Sequence, residues 1–218
     1  MFNIFLKSLR DILSPTVLGF IIKVALSSFI VMIALFWLFW DRFNLFIAQL
    51  ASFMPFVGDY EWFQNGVGII ATPFIAYGII LASISLLTSI FSPKLLIKLA
   101  KVNYGIEGSD NSKISEIIKV NLKATLKFFG LTIILLPTLF IPVIGQIIML
   151  YLWAVLLKEP TVYDVVSLFK IKPKSNNRIW ITSLIAASFN YIPILNIYSA
   201  LFAQILFMHS ILTQNTNK

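Results

Sequence analysis

The chain has 218 residues, 59% of them hydrophobic and only 12% charged, with a mean hydropathy of +0.90. Soluble domains carry about 25% charged residues, so an ordinary soluble fold is excluded. The absence of cysteine and the single histidine, His209, exclude disulfide frameworks, thiolate chemistry, His-based metal sites and a Ser-His-Asp triad with a choice of partners.

Four stretches hold no Asp, Glu, Lys or Arg: residues 24–40, 62–93, 128–157 and 179–217, so all 26 charges fall in the other 100 residues. Charge-free apolar runs near or above about 18 residues read as membrane segments. The expected class is an all-α integral membrane protein forming one domain over residues 1–218. The net charge of +8 then reflects the gathering of Lys and Arg in cytoplasmic loops, and no nucleic-acid partner is expected. No P-loop or GxGxxG fingerprint is present, and no cofactor is implied.

Residues 1–14 read as an amphipathic helix lying in the headgroup plane. Phe2, Phe5, Leu6, Leu9, Ile12 and Leu13 follow helical spacing, with Asn3, Lys7, Arg10 and Asp11 opposite. Ser14-Pro15 ends it. The first apolar run starts only near Phe20, with no clean small-residue cleavage site, so no cleaved signal peptide is expected. Residues 20–40 and 62–91 read as two spans, with Trp37, Trp40, Trp62 and Phe63 as an aromatic belt at the outer boundary. Residues 41–61 carry a net −2 and are placed outside; residues 94–127, at +4, form a cytoplasmic helical segment.

The third charge-free run creates a conflict. If 128–157 crossed the bilayer, the segment 158–178, at +3, would lie outside, against the positive-inside bias. Prolines offer a resolution. Pro137 and Pro142 break the run 128–157, and Pro193 breaks 179–210. Read as hairpins, the arms 128–140, 143–157, 179–191 and 194–210 reach about 20 to 25 Å, short of a hydrocarbon core of about 30 Å. Two re-entrant hairpins dipping from the cytoplasmic face keep every basic segment, and both termini, inside; four full spans is the alternative topology. Re-entrant backbone needs cover from protein or a lined cavity, which points to a homo-oligomer or such a cavity.

A short motif recurs at Phe53-Met-Pro-Phe-Val-Gly58, Phe140-Ile-Pro-Val-Ile-Gly145 and Tyr191-Ile-Pro-Ile-Leu-Asn196. Pro142 and Pro193 are expected to build the hairpin tips. The turns would expose unpaired N–H groups near Val143 to Gln146 and Ile194 to Asn196, partially positive ends of the kind that serve as ion and substrate sites. A tight turn between packed helices explains the same prolines.

At these motifs the chain resembles the CysZ-type sulfate permeases, a family that extends to the eukaryotic etoposide-induced proteins. The residues are Leu139-Phe-Ile-Pro-Val-Ile-Gly-Gln146 followed by Leu152-Trp153, Tyr191-Ile-Pro-Ile-Leu-Asn196, and Phe91-Ser-Pro-Lys-Leu-Leu96. The resemblance implies two long spans, two hemi-penetrant hairpins, an oligomer and, in bacteria, sulfate uptake across the inner membrane. It implies a transporter and not an enzyme. One departure bears on substrate. Leu18 and Gly19 stand where the family's Pro-Gly-Leu/Ile-Arg-Arg motif has its two arginines, and neither donates to an oxyanion as guanidinium does.

The candidate anion-binding or translocation residues are therefore Arg10, Lys23, Gly145, Gln146, Asn190 and Asn196, with no catalytic or metal-binding residue. Each has a plain reading as well. Lys23 snorkels, Gln146, Asn190 and Asn196 hydrogen-bond across helices, and the stripe Lys119, Lys123, Lys127 faces water or headgroups. Two functions follow: a permease for sulfate or a related small oxyanion, and a non-transporting membrane scaffold or lipid-organising protein of the same fold.

Overall fold

The computed structural model describes residues 1–52, 60–110, 113–139, 141–192 and 196–216. Every regular element among them is helical: α1 (Phe2–Ile12), α2 (Pro15–Ser52), α3 (Glu61–Phe91), α4 (Pro93–Tyr104), α5 (Ile114–Leu139), α6 (Ile144–Phe169), α7 (Asn176–Ser188), a 3₁₀ turn (Phe189–Tyr191) and α8 (Asn196–Thr216). They fall into two compact units, residues 22–87 and residues 1–21 with 88–218.

The smaller unit holds most of α2 and α3. The stretch Pro15–Phe46 of α2 is long and apolar enough to cross a membrane. Its backbone leaves helical geometry at Phe39, with φ −119° and ψ 16°, beside the end of the span expected over 20–40. Trp37, Trp40 and Trp62 are exposed, as a lipid-interface belt requires. The side chain of Phe63 and the motif Phe53–Gly58 lie outside the described residues.

The larger unit is organised around α8. All residues from Leu201 to Leu212 are buried, enclosed by α1, α4, α6 and α7. A helix apolar on every side has to be buried on every side, and α8 meets that demand inside the chain. Its 21 residues measure about 32 Å, longer than the arm expected over 194–210. Among the described residues α8 is the other helix able to cross a membrane by length and composition.

Proline places the joints. Pro93 has no N–H to continue α3 and suits the first turn of a helix, so α4 departs from the last turns of α3 at 57°. Gly105, at φ 65°, ends α4 in the left-handed conformation and donates its N–H to the Lys101 carbonyl. Between α1 and α2, Pro15 opens the helix while the Val17 N–H donates to Ser14 Oγ at 3.4 Å.

The N-terminal helix is present, and one edge of it docks on α8, a contact that the expected headgroup-plane placement did not include. Ile4, Ser8 and Ile12 are buried, and Phe5 meets the Phe202 ring edge-on at 6.0 Å. Phe2, Leu6 and Leu13 stay exposed. The hydrophobic spacing alone did not include α8 as a partner, and α8 selects which edge of α1 is buried.

Both charge-free runs form helix pairs, α5 with α6 and α7 with α8; Pro142 lies at the joint of the first, whereas Pro137, expected to break the same run, sits inside α5 without ending it. The first pair is longer than its charge-free run. α5 begins at Ile114 and α6 continues to Phe169, 26 residues each or about 39 Å. The segment 94–127 is thus divided between α4, a loop and the first half of α5.

Candidate functional site

The tip of the first hairpin lies between α5 and α6. Leu139 ends α5, and Ile144 opens α6. Between them Val143 takes φ 68° and ψ −54°, and the Ile144 N–H donates to the Pro142 carbonyl at 2.8 Å. This is a γ-turn of the rare, strained hand. The next residue must be glycine. A Cβ on Gly145 would sit 2.3 Å from the Leu139 carbonyl oxygen and 2.9 Å from its carbon.

The second tip meets the first. The Tyr191 hydroxyl, at the end of the 3₁₀ turn, donates to the Gln146 backbone carbonyl. Gly145 and Asn196 are buried, Asn190 is half-buried and Gln146 is exposed. Asn190 Nδ2 is buried without a hydrogen-bond partner. Four of the six candidate residues are therefore on the two adjoining tips. Pro142 lies in the first turn, and Pro193 lies outside the described residues.

The expectation of unpaired helix-end donors fails at Ile144, Gly145 and Asn196, while Ile194 and Leu195 lie outside the described residues. The turn itself consumes helix-end donors: Ile144 N–H is bonded to Pro142, Gly145 N–H to Ile141 at 2.8 Å, and Asn196 N–H to Ile192 at 2.9 Å. A chain that reverses this tightly brings its own carbonyls to the new helix end. The field available to an anion is correspondingly reduced.

The two cationic candidates are elsewhere. Arg10 is exposed on α1, next to Asp11, which binds His209. His209 is 13 residues along α8 from Asn196, about 20 Å. Lys23 is exposed on α2 and belongs to the other unit. A Cβ added at Gly19 would meet nothing within 4 Å, so no close contact there demands a glycine.

Two buried polar clusters were not anticipated. In the first, fully buried His209 joins α1 to α4 through α8. Its Nε2 donates to Asp11 Oδ2 at 2.9 Å, and its Nδ1 lies 2.8 Å from the Tyr104 hydroxyl. Asn103 Nδ2 donates to the same Asp11 oxygen at 2.8 Å, and Thr213 Oγ1 stands 3.1 Å from the Tyr104 hydroxyl. Lys7 caps the Tyr104 ring at 4.1 Å. In the second, Asp164 lies on α6 beyond the apolar run and is buried. It accepts from Gln204 Nε2 at 2.7 Å and Ser89 Oγ at 3.3 Å. Gln204 Oε1 has no donor. Burial among these neutral groups pushes the Asp164 carboxyl up to about 7. Sequence offered one hint of each, a lone histidine and a glutamine within an apolar helix.

The arrangement is a membrane-embedded helical scaffold, and its one acid, imidazole and hydroxyl grouping among the described residues, Asp11 with His209, Tyr104 and Thr213, is closed on itself around the fully buried His209. A family model described as sulfate transporter CysZ/Etoposide-induced protein 2.4 matches residues 4–208, nearly the entire chain. The chain belongs to the CysZ/etoposide-induced family. No curated protein and no solved structure gives a significant match. Membership bears out the resemblance read from the Ile-Pro motifs, and those motifs coincide with the adjoining tips. CysZ-family proteins are transporters by description, and a membrane setting with a sulfate-transporter-like role holds for this chain at the level of the family.

Proposed function

We propose that this chain is a permease for sulfate or a related small oxyanion in the bacterial inner membrane, working as a homo-oligomer with both termini in the cytoplasm. The observation that carries the reading is the family match over residues 4–208. The two adjoining tips, with Gln146, Asn190 and Asn196, are the part of the path this chain contributes. Arg10 and Lys23 act as cationic approaches.

The topology proposed is two long spans, α2 and α3, with α5/α6 and α7/α8 re-entering from the cytoplasmic side and α1 at the interface. Salt-bridge levels support it. Lys127 Nζ meets Glu159 Oε1 at 3.2 Å across α5 and α6, about 18 Å from the tip along α5 and about 22 Å along α6. The apolar depth of this hairpin therefore falls short of a core of about 30 Å. At the base of the other hairpin Lys174 Nζ donates to the Gln214 carbonyl at 2.8 Å. The exposed Phe2, Leu6 and Leu13 on α1 suit a headgroup-level helix.

The test is uptake of labelled sulfate into proteoliposomes, with selenate, thiosulfate and phosphate as competitors. Uptake above protein-free vesicles, lowered by Gln146→Ala, is the expected result; no uptake of any of these anions refutes it. Leu18 and Gly19 at the arginine positions, together with the consumed helix-end donors, favour the second reading, a non-transporting membrane scaffold. That reading predicts vesicles with no anion flux but a normally assembled protein.

A further inference from the structure

The outward face of α5 is unexplained by the permeation path. Ile114, Ile118, Leu122, Leu126, Phe129 and Ile133 are all exposed, Leu122 at 56% and Leu126 at 64%. Spacings of three and four put them along one side of the helix, a row about 28 Å long. The opposite side, with Ile117 and Ala124 buried, is the one packed within the unit. Beside the apolar row run Lys119, Lys123 and Lys127, each one residue past an apolar member.

An upright hairpin makes poor sense of this face. With Lys127 and Glu159 at the membrane surface, residues 114–126 would project about 20 Å into water, carrying four large apolar side chains with nothing over them. A second copy of α5 is also a poor cover. In a two-fold contact the same patch meets itself, so the lysine row would face its own copy. The nearby acids are already engaged, Glu116 with Lys119 at 3.4 Å and Glu159 with Lys127 at 3.2 Å. Lys123 has no acid partner among the described residues. A lipid leaflet supplies both needs, acyl chains for the apolar row and phosphates for the lysines.

We propose that α5 lies obliquely along an anionic leaflet, its Ile114–Ile133 row against acyl chains and Lys119, Lys123 and Lys127 at lipid phosphates. Long lysine stems permit this, since they lie along apolar surface while the ammonium reaches the headgroups. The exposed pair with Glu116 is weak enough to yield to a phosphate. The inference rests on the membrane embedding of the family and is independent of what the protein transports.

Because the chain has no cysteine, single nitroxide labels are clean reporters. The positions are Ile118→Cys, Leu122→Cys and Leu126→Cys on the apolar row, and Glu116→Cys on the lysine side. The protein is reconstituted in phosphatidylcholine vesicles with and without phosphatidylglycerol. Accessibility to oxygen, which favours lipid, is compared with accessibility to a water-soluble nickel chelate. The row should show oxygen access several-fold above nickel access in phosphatidylglycerol vesicles, with the reverse at position 116. Removing phosphatidylglycerol, or the triple change Lys119→Gln, Lys123→Gln, Lys127→Gln, should shift the row at least two-fold toward nickel. Nickel access along the row in all vesicles overturns the proposal in favour of a solvated face. Exclusion of both reagents overturns it in favour of a protein partner. Row labels indifferent to phosphatidylglycerol and to the lysines remove the anionic-lipid assignment. Sulfate uptake by the same vesicles reports separately on the permease reading.

Discussion

Gly145→Ala isolates what the first hairpin tip demands. The added methyl would lie 2.3 Å from the Leu139 carbonyl oxygen and 3.1 Å from the Leu139 Cα. Ordinary contact needs about 3.4 Å, and the obstructing atoms are backbone, so the first turn of α6 must move away from the end of α5 by about 1 Å. Overpacking of this kind costs about 1–3 kcal/mol, toward the upper end where no side chain can swing aside. The displacement also strains the Tyr191 bond to the neighbouring Gln146 carbonyl, worth about 1 kcal/mol. A loss of about 2–4 kcal/mol lowers the thermal midpoint by several degrees. Intrinsic tryptophan fluorescence during heating in detergent measures it, with Gly19→Ala as the control, because that position has open space. A Gly145→Ala midpoint within one degree of the control would refute the close approach of the two helix ends.

Other changes test other parts of the same unit. Val143→Gly removes the strain of a β-branched residue at φ 68°, and a gain of about 1 kcal/mol is expected after the entropy cost of glycine; an unchanged or lower midpoint contradicts it. Asp164→Asn keeps an acceptor for Gln204 and Ser89 and adds an N–H group for Gln204 Oε1. The native carboxyl is raised from 3.8 to about 7, so its folded form prefers to be neutral. The stability this contributes is full below about pH 4 and is lost as pH rises toward 7. The variant should therefore match the parent near pH 4 and exceed it increasingly up to pH 7, by a few kcal/mol at most. A pH-independent difference in melting refutes the raised carboxyl. His209→Ala leaves Asp11 and Tyr104 short of partners in a closed cluster and should cost about 3 kcal/mol. Its readout is faster tryptic cleavage at Lys7 or Arg10 as α1 loosens.

The proline signals were legible because their cause is local. A missing N–H at Pro142 acts on its own turn, so that joint falls where the residue says, whereas Pro137 is absorbed within the last turn of α5. The ends of the first apolar run were legible too, since Lys127 and Lys158 bound it. Contacts across the chain were not. Asp164 pairs with Gln204 forty residues away, and nothing in either neighbourhood announces the other. The amphipathic spacing of α1 identified a helix, but the edge it buries depends on where α8 offers Phe202. The fate of the helix-end donors depended on the turn geometry at Val143, a positive φ that a β-branched residue gives no reason to expect.

Enclosure of α8 has a consequence for how the protein is made. Asp11 and His209 are 198 residues apart in sequence, so α1 docks on a helix that leaves the ribosome long after it. Until α8 arrives, α1, α4, α6 and α7 have no centre to pack on, and their inward-facing apolar surfaces must wait in lipid or against a chaperone. Packing of this unit is accordingly completed only once α8 has emerged. A ribosome stalled before residue 196 should hold an unassembled, protease-sensitive intermediate, whatever the state of the two long helices already emerged.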